Sequence, residues 1–573
     1  MINNSTVSVS IGLITKAFTS QHYPTLFESA ETHDAARDLI AQLVPYTQDV
    51  DLLLAIVRSG LPADYTGNTL DEVPDMVRGA LKKGFAENDA IDPNKSIASA
   101  VVGLALTQAL DLFHDEDGNA FVTIPKGSGG RQHLNLNKQS AASWLSSIWY
   151  RTTDNALQDQ PRSTALATLA AKAKYDGQIH RVSLRLARFG NAMFFDLGDD
   201  DGSMVQIDAN GWQIVKDAPV KFVRPASFKA LPLPEAGGDL NELKSLLKIS
   251  DNSWPLVLAF LISAFRPEGP YFCLLVDGEQ GSGKSFLCSM LKAILDPSRF
   301  EKLPLPSTDS ELFIAAKDSH LLVFDNASGV RFDMSDALCR LATGASLARR
   351  RLYTDDDVHV ITQCKPFIIN GIGDFADRPD LLERAMLISL EGLKEEDRLS
   401  ESQILMDFAK LLPRVLGRLF DVVACAFNNE HCINAPTNLR MADGARWLKA
   451  AEPATGLPPN SIISAIVESQ NASVIDRMRN RTLFRVLEKL VATGPFEGQI
   501  AHLFDQLLIE NDKLDRSFPR TAAHLSNELR RHRQAMAKAG LMVELQPRGR
   551  TGRRVKIWLK DVSLPPEKPK PNY

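Results

Sequence analysis

The sequence predicts an α/β protein built around a parallel sheet. Apolar runs begin near Tyr271, His320 and Pro366, and each ends in polar residues, as buried parallel strands do. The first run continues into the pattern G-x-x-x-x-G-K-S, and a helical pattern follows from Phe286 to Leu295. A strand, a glycine-rich loop and a helix in this order are typical of a phosphate-binding loop.

The composition is that of an ordinary globular protein. The chain has 573 residues, 44% of them hydrophobic and 24% charged, which is enough for several domains. The apolar run Trp254–Phe265 is too short to span a bilayer, and Met1–Thr6 lacks the basic and apolar regions of a signal peptide. Six cysteines stand without metal-ligand spacing. We therefore expect a cytoplasmic protein with no membrane partner.

Turn signals and changes of periodicity divide the chain into six segments. A stretch rich in Pro and Gly at 225–238 is interpreted as a linker. The segments are a small helical module at 1–95, an α+β domain with hairpins at 96–235, a phosphate-loop domain at 236–395, a helical region at 396–490, a basic C-terminal module at 491–560 and a Pro/Lys tail at 561–573.

Within the first two segments, helical spacing and tight turns predict individual elements. The predicted helices are Ala36–Leu43, Leu52–Val57, Leu70–Lys83 and 98–112, and the predicted strands include Ala192–Leu197, Met204–Asp208 and Trp212–Val215.

The phosphate-binding loop carries the first candidate site. Its glycines let backbone N–H groups turn toward phosphate oxygens, Lys284 can reach the β- and γ-phosphates, and the Ser285 hydroxyl can bind Mg²⁺. A glycine-rich turn that matches by chance is the alternative, and the flanking strand and helix disfavour it. The loop residues are Gly278, Glu279, Gln280, Gly281, Ser282, Gly283, Lys284 and Ser285. We expect a nucleoside triphosphate and Mg²⁺ here.

Three polar residues follow later strands and complete the predicted catalytic set. Asp325 ends an apolar strand, where a carboxylate can orient the hydration shell of Mg²⁺; a simple turn is the alternative. Asn370 ends the next apolar strand and can hold the attacking water or touch the γ-phosphate. Arg384 precedes a fourth strand and can project onto the γ-phosphate of a neighbouring subunit, unless it forms only a surface ion pair.

These residues, in this order, resemble superfamily 3 helicases of the AAA+ class, in particular the ATPase half of phage- and plasmid-type primase–helicases. The resemblance covers residues 240–395. It implies a core with a five-stranded parallel sheet, a ring oligomer that is usually hexameric, and ATP-driven movement along DNA. Residues 46–88 are similar to the small module that follows the catalytic domain in primase–polymerases. Since no primase acid motif precedes them, a separate primase is a possible partner.

Two positions depart from the family pattern. Asn326 follows Asp325 where a second carboxylate usually polarises the water, so hydrolysis could be slow, or another acid such as Glu279 could serve. The predicted DNA-gripping hairpin carries the acidic run Asp355–Asp357 at its tip, so contact with the strand is assigned instead to three arginines. They are Arg349, Arg350 and Arg351.

The C-terminal segment predicts a polyanion-binding module. Twelve Lys and Arg residues and two acids lie between 516 and 560 in a chain whose net charge is −5. A helix ending near Gly540 is followed by strands Leu541–Gln546 and Arg554–Leu559, with a basic loop at 547–553 between them. This resembles a winged helix-turn-helix; a basic helix and hairpin without DNA affinity is the alternative. The predicted DNA contacts are Arg530, Arg531, Arg533, Lys538, Arg548, Arg550, Arg553 and Arg554.

Taken together, these features predict an ATPase of mobile-element DNA replication. It would act on single- and double-stranded DNA as a helicase or translocase and assemble as a homo-hexamer. The competing hypothesis is a DNA-binding ATP switch, a regulator or defence component with slow or no hydrolysis. A small-molecule kinase is a third possibility, which the pattern of Asn370 and Arg384 disfavours.

Overall fold

Two units make up the described part of the chain. The computed structural model describes residues 32–44, 47, 49–62, 65–82, 96–127, 129–350, 358–373, 375–376, 378–392, 400–436, 439–510, 518–549 and 552–560. One unit comprises residues 1–124 and 134–179, and the other comprises 125–133 and 180–573. The predicted tail at 561–573 lies outside the described residues.

The described part of the first unit starts with three helices that share a small apolar core. They are α1 (Thr32–Leu43), α2 (Val50–Ser59) and α3 (Thr69–Lys82). Asp49 caps α2, since its carboxylate accepts a hydrogen bond from the backbone N–H of Leu52 at 3.2 Å.

A sheet and three further helices follow. They are α4 (Ile97–Gln108), β1 (Asp111–His114), β2 (Ala120–Lys126), β3 (Gly130–Asn135), α5 (Gln139–Thr153), α6 (Asp159–Tyr175) and β4 (Gln178–Ile179). The strand order is β3-β2-β1-β4. The helix predicted at 98–112 ends at Gln108, because Asp111 already pairs with Thr123 at the start of β1.

The second unit opens with six short strands. They are β5 (Val182–Ser183), β6 (Leu186–Phe189), β7 (Ala192–Asp196), β8 (Met204–Asp208), β9 (Gly211–Val215) and β10 (Lys221–Phe222). Strands β6 to β9 form an antiparallel meander, in agreement with the strands predicted from the turns between them.

The central part of this unit alternates strands and helices. Its elements are α7 (Leu240–Leu247), α8 (Trp254–Ala264), β11 (Cys273–Gly278), α9 (Lys284–Leu295), α10 (Asp309–Lys317), β12 (Leu322–Ala327), α11 (Phe332–Thr343), β13 (Ala345–Arg350), β14 (Val358–Gln363), β15 (Phe367–Gly371), α12 (Pro379–Leu382) and β16 (Ala385–Leu390).

Helices and a small sheet complete the unit. They are α13 (Glu401–Asn429), α14 (Ala442–Ala451), α15 (Ser461–Asn480), α16 (Thr482–Val491), β17 (Phe496–Gln499), α17 (Ile500–Glu510), α18 (Ala522–Lys538), β18 (Leu541–Gly549) and β19 (Gly552–Leu559).

Four parallel strands form the sheet that carries the phosphate-binding loop. Their order is β12-β15-β11-β16. Alternation along the strands sends neighbouring side chains to opposite faces. Leu274, Val323 and Ile368 join the core shared with α8, α9 and α13, whereas Leu275 and Ile369 join the core shared with α10 and α11.

Beside β12, where a fifth strand would lie, the described residues form only a single bridging pair. Leu303 forms an isolated parallel bridge with Phe324, donating its N–H to the carbonyl oxygen of Val323 at 2.9 Å and accepting from Asp325 N–H at 2.9 Å. Pro304 and Pro306 follow at once. Proline has no N–H for a ladder, so it confines such a segment to a sheet edge and limits its length. The described sheet therefore has four strands and a bridge, where the family resemblance implied five strands.

The segment at 225–238, predicted to be a linker, is instead packed into the second unit. Lys229 N–H donates to the carbonyl oxygen of Pro297 at 3.1 Å, and Leu231 is 5% exposed. Glu235 N–H donates to the carbonyl oxygen of Pro413 at 2.9 Å. The hairpins at 180–215 thus belong with the parallel sheet, and the division predicted near residue 235 lies at 179/180 instead. The prolines therefore favour an extended segment that packs against the unit, not a linker that separates two domains.

A buried charged cluster lies at the end of α9 remote from the loop. Lys292 Nζ donates to Asp296 Oδ2 at 2.7 Å, and Arg185, fully buried, approaches Asp296 Oδ1 at 3.4 Å. Burial alone would raise the pKa of Asp296, but these two cations hold it well below its ordinary value. The same carboxylate accepts from the N–H of His320, which precedes β12, at 2.8 Å. The cluster therefore fixes α9 against β12.

His320 makes the stability of this unit sensitive to mild acid. Burial, assisted by Lys365, lowers the His320 pKa to about 4, and its Nε2 lies 2.8 Å from the carbonyl oxygen of Ala264. Between pH 6.5 and 4 the unfolded chain binds a proton that the folded chain does not. The stability that neutral His320 supports is thus complete above pH 6.5 and is lost as the pH falls. From pH 7 to 5 this loss amounts to about 2 kcal/mol.

We expect His320→Gln to be less sensitive to pH than the wild type, because glutamine does not titrate and can still donate to that carbonyl. Urea unfolding at pH 7 and pH 5, followed by the fluorescence of buried Trp254 and Trp447, measures the difference. Equal losses in the two proteins would contradict this assignment. The exposed His524 provides a matched control, His524→Gln, which should behave as the wild type does.

The C-terminal strands are longer than predicted. Strand β18 continues to Gly549 and β19 begins at Gly552, with Arg548 opposite Arg553 in the ladder. Pro547, predicted to be in the loop, lies where the register shifts, as expected for a proline at a bulge. Strand β17, which was not predicted, pairs with β19 and completes a sheet of order β17-β19-β18.

Candidate functional site

The glycine-rich loop joins the end of β11 to the start of α9. Gly281 and Gly283 have φ values of +83° and +85°, which side chains with a Cβ rarely adopt. A Cβ on Gly278 would lie 2.5 Å from the carbonyl oxygen of Leu390 on the neighbouring strand. No side chain among the described residues caps α9, so the N–H groups of its first turn face an open cradle.

Lys284 and Ser282 are buried within this cradle. Lys284 is 8% exposed, and its Nζ donates to the carbonyl oxygens of Gly278 and Glu279, both at 2.6 Å. Ser282 is 4% exposed, and its hydroxyl has no hydrogen-bond partner in the structure. A buried hydroxyl without a partner costs about 1–3 kcal/mol, which an added acceptor would recover. A cation, an unpaired hydroxyl and free helix N–H groups together fit an anion such as phosphate.

Ser285, Asp325 and Asn370 meet beside the loop. The Ser285 hydroxyl donates to Asp325 Oδ1 at 2.7 Å, and Asn370 Nδ2 donates to the same oxygen at 2.6 Å. By alternation along β12 and β15, both Asp325 and Asn370 lie on the α9 face of the sheet. A hydroxyl and a carboxylate oxygen are the ligand types that Mg²⁺ prefers. The structure therefore brings together three residues that were predicted from separate strands.

Asn370 is fully buried and orients its neighbours. Its Oδ1 accepts from the N–H of Asn326 at 2.8 Å, and its Nδ2 also faces the sulfur of Cys288 at 3.6 Å. Burial raises the pKa of Cys288 to about 12, so this thiol stays protonated. Asn370 is thus held on three sides, with its amide directed at Asp325.

Asn326 is exposed and its backbone is left-handed, with φ of +56°. Asparagine is one of the few residues that tolerate this conformation. Two acids lie near this position but at other places around the loop. Glu279, the predicted substitute, lies near Gly392, on the side of β16, and β16 and β12 lie at opposite edges of the sheet. Asp277 accepts from Gly373 N–H at 3.0 Å, and alternation along β11 places it on the face opposite α9.

Lys302 is a neighbour of Asp325 that was not predicted from the sequence. Its Nζ lies 4.0 Å from Asp325 Oδ2, and its side chain is 35% exposed. It belongs to the segment that forms the bridge at Leu303, so the prolines that keep this segment short also place Lys302 at the site. A single lysine in a proline-rich loop belongs to no motif, and no sequence signal could have identified it.

Arg384 lies at the end of the strands that is remote from the loop. Strand β16 runs parallel to β11, with Ala385 opposite Cys273 and Leu390 opposite Gly278. The loop follows Gly278, whereas Arg384 precedes Ala385, so the two are separated by about 20 Å at 3.3 Å per residue. An arginine side chain does not span this distance. If Arg384 contacts a phosphate, the phosphate is bound by another copy of the chain.

The turn that carries Arg384 is held from the helical region. Arg440 Nη1 donates to Asp380 Oδ1 and to Glu383 Oε2, both at 2.8 Å. This contact lowers the pKa of Asp380. Gln470 Nε2 donates to the carbonyl oxygens of Glu383 and Ala385, at 3.2 Å and 3.0 Å. Arg440 and Gln470 are distant in sequence from Arg384, and reasoning from the sequence missed both.

The predicted DNA-contacting residues fall into two groups. Arg349 and Arg350 lie at the end of β13, which pairs antiparallel with β14. Arg351 and the acidic run Asp355–Asp357 lie outside the described residues.

The C-terminal group follows the order helix, strand, helix, helix, strand, strand, from α16 to β19. Leu525, Leu529 and Met536 bury one face of α18. The basic residues that this leaves exposed are Arg530, Arg531, Arg533 and Lys538. Arg553 donates to the hydroxyl of Ser526 on α18, at 3.2 Å.

Three predicted contacts of the C-terminal group remain, namely Arg554, Arg548 and Arg550. Arg554 lies 3.7 Å from Glu497, so part of its charge is compensated within the module. Arg548 precedes the end of β18, and Arg550 lies outside the described residues. Among the described residues of this predicted set, α18 therefore carries the largest group of exposed positive charges. As for the membrane, none of the described helices is both long and apolar enough to cross one.

Comparisons with known proteins identify two regions. Residues 241–471 match the model of the actinomycete integrative conjugative element replication protein, and residues 482–566 match that of the AICE RepA C-terminal domain. The A form apo structure of the NrS-1 C-terminal region is similar over 80% of this chain and 98% of that chain, at 13% identity and a TM-score of 0.37.

Another apo structure of the same region is similar over 81% of this chain and 100% of that chain, at 12% identity and a TM-score of 0.38. No curated protein matches the chain. The first matched region ends within α15, and the second begins at the first residue of α16. The chain thus contains two regions that are similar to domains of actinomycete integrative conjugative element replication proteins.

Proposed function

We propose that this protein is a DNA-dependent ATPase of mobile-element replication, which acts on DNA as a helicase or translocase. The observation that carries the proposal is the convergence of Lys284, Ser285, Asp325 and Asn370 on one face of the sheet. The match to replication-protein domains supports DNA replication as the process in which it acts.

In this proposal the loop binds the phosphates of ATP, and the unpaired Ser282 hydroxyl gains an acceptor. Lys284 turns from the carbonyls of Gly278 and Glu279 toward the β- and γ-phosphates. Ser285 and Asp325 hold Mg²⁺, which neutralises charge on the phosphates when it is bound. Asn370 keeps the Asp325 carboxylate aimed at that position and shields it from water on one side.

Arg384 completes the site of an adjacent copy. Its separation from the loop of its own chain supports a head-to-tail assembly. In this assembly, the end of the sheet that carries the loop in one copy faces the end that carries Arg384 in the next copy. Such heterologous contacts form a ring when the rotation between copies closes, and a hexamer is the ring that the family resemblance implied. The guanidinium would then stabilise the charge that develops on the γ-phosphate.

DNA binding is assigned mainly to α18. Its exposed arginines can neutralise backbone phosphates, and a helix in this position of a helix, strand, helix, helix, strand, strand module is suited to the major groove. Arg349 and Arg350 remain candidates for contact with DNA near the ATPase sheet.

A second function is favoured by Asn326. Because no described carboxylate replaces the acid at this position on the α9 face, hydrolysis could be slow and ATP could serve to set the assembly state. In that case the protein would be a DNA-binding ATP switch.

The test is the ATPase rate of the full chain with and without single-stranded and duplex DNA. A motor is expected to hydrolyse ATP and to be stimulated by DNA, whereas tight MgATP binding without turnover would support the switch. The double variant Arg530→Ala/Arg533→Ala should weaken DNA binding and reduce the salt dependence of its affinity by about 1–2 units of slope. If the chain does not bind MgATP, both proposals are wrong.

A further inference from the structure

Helix α15 belongs to two hydrophobic cores. In its first half, Ile462 and Ile466 are fully buried in the core that also contains α8 and α13. In its second half, Met478 and Ile475 pack into the core of the C-terminal module. The helix is continuous over 20 residues, which is about 30 Å at 1.5 Å per residue. A helix anchored at both ends transmits displacement from one core to the other.

The first of these cores adjoins the Arg384 turn, which α15 contacts through the side chain of Gln470. Gln470 Nε2 bonds the carbonyl oxygens of Glu383 and Ala385, the residues immediately before and after Arg384. The side chain of Arg384 makes fewer hydrogen bonds than the backbone on either side of it. Its Nη1 donates to the carbonyl oxygen of Asp380 at 2.5 Å, while its buried Nε has no partner in the structure. The direction of the guanidinium therefore depends on the backbone of this turn, which Gln470 holds together with Arg440.

Helix α15 also contacts the basic helix α18, through Asn471, the residue that follows Gln470. Asn471 Oδ1 accepts from Lys538 Nζ at 2.9 Å. Just beyond the end of α15, Arg481 Nη1 lies 2.9 Å from His532 Nε2 and 3.5 Å from Glu528. Both contacts are made with α18, the helix that carries the exposed arginines. Gln470 and Asn471 are thus consecutive residues that face the Arg384 turn and α18 respectively.

We propose that α15 couples DNA bound at α18 to the position of Arg384, with Gln470 as the positioning residue. This inference rests on the proposed function, since it assigns a regulator to the same ATPase site. Phosphate binding draws the charge of Lys538 toward DNA and away from Asn471, which shifts the register of α15 against the sheet. Gln470 transmits the shift to the carbonyls on both sides of Arg384.

The test compares Gln470→Ala with wild type in full-length protein. The ATPase rate is measured against the concentration of a duplex oligonucleotide at low salt, where sequence-independent binding is strong. We expect the ratio of stimulated to basal rate to fall about fivefold or more. The Kd for duplex DNA and the Kd for MgATP should stay unchanged, because Gln470 touches neither ligand. Glu468→Ala, an exposed residue on the same helix, is the matched control and should behave as wild type does.

A second variant tests the helix itself. Ala472 is exposed and lies between the two anchored halves, so Ala472→Pro removes one backbone hydrogen bond and kinks the helix there. We expect it to bind both ligands yet lose DNA stimulation. If that variant fails to fold, as judged by circular dichroism, Gln470→Ala still decides the question.

The outcomes separate the two levels of the proposal. A wild-type protein that does not turn over ATP contradicts the proposed function. A wild-type protein that hydrolyses ATP without stimulation by duplex DNA contradicts the coupling, as does full stimulation in Gln470→Ala. Loss of stimulation together with loss of DNA binding in Gln470→Ala would show that the residue supports the C-terminal module instead, and the coupling would again be wrong.

Discussion

Replacing Lys284 with alanine is expected to abolish turnover of MgATP, with a loss of about 10²–10³-fold in rate. Lys284 is the only side-chain cation that the described loop residues 278–285 place in the cradle, and a charge-assisted hydrogen bond to a phosphate contributes about 1.5–3 kcal/mol. ATP affinity should therefore also fall, by about tenfold or more. Fluorescence anisotropy with a labelled ATP analogue and a phosphate-release assay measure the two effects.

The control for this variant must separate chemistry from folding. Lys284 also fastens the loop by donating to the carbonyl oxygens of Gly278 and Glu279, so thermal unfolding has to be compared as well. Lys317→Ala removes an exposed lysine from α10 and should leave both rate and affinity unchanged. Retention of ATP binding at wild-type strength in a folded Lys284→Ala protein would mean that the loop is not the nucleotide site.

Arg384→Ala is expected to lower the rate of hydrolysis by about 10³-fold while MgATP still binds. The reason is distance, because Arg384 and the loop of its own chain lie at opposite ends of the adjacent strands β16 and β11. The loop of each copy, with its lysine, is untouched by the substitution. Arg384→Lys keeps the charge but not the planar fork of donors, so it should recover only part of the rate.

Mixing two inactive proteins tests whether Arg384 acts between copies. In a mixture of Arg384→Ala and Lys284→Ala chains, some neighbours pair an intact loop with an intact Arg384, and activity should reappear. The mixture should then exceed the sum of the two variants measured separately. Activity that never rises above that sum would contradict action in trans, as would a fully active Arg384→Ala protein.

Local patterns predicted much of the secondary structure and the identity of the polar residues around the loop. The strands at 192–215 were found because Asp-Gly and Asn-Gly turns mark their ends. Asp325 and Asn370 were identified because each ends an apolar run. In a parallel sheet, the C-terminal ends of the strands lie at the same end of the sheet. Their predicted roles with Mg²⁺ and water remain predictions.

What escaped prediction depends on contacts between distant segments. Arg185 and Asp296 are separated by more than a hundred residues, and neither belongs to a motif, yet both are buried against each other. The stretch at 225–238 has the composition of a linker, but its carbonyl and N–H groups are used by neighbouring segments. Strand β17 has only four residues, too few for alternation to be recognised. Pairing partners decide such cases, and a single sequence does not reveal them.

The left-handed backbone at Asn326 restricts which acids could ever occupy that position. A positive φ penalises most side chains by about 1–2 kcal/mol, but aspartate, like asparagine, bonds to its own backbone and is accommodated. Glutamate lacks that local bond. A chain with this fold could thus gain a water-polarising acid through one conservative exchange to aspartate, whereas glutamate would first require the turn after β12 to be rebuilt.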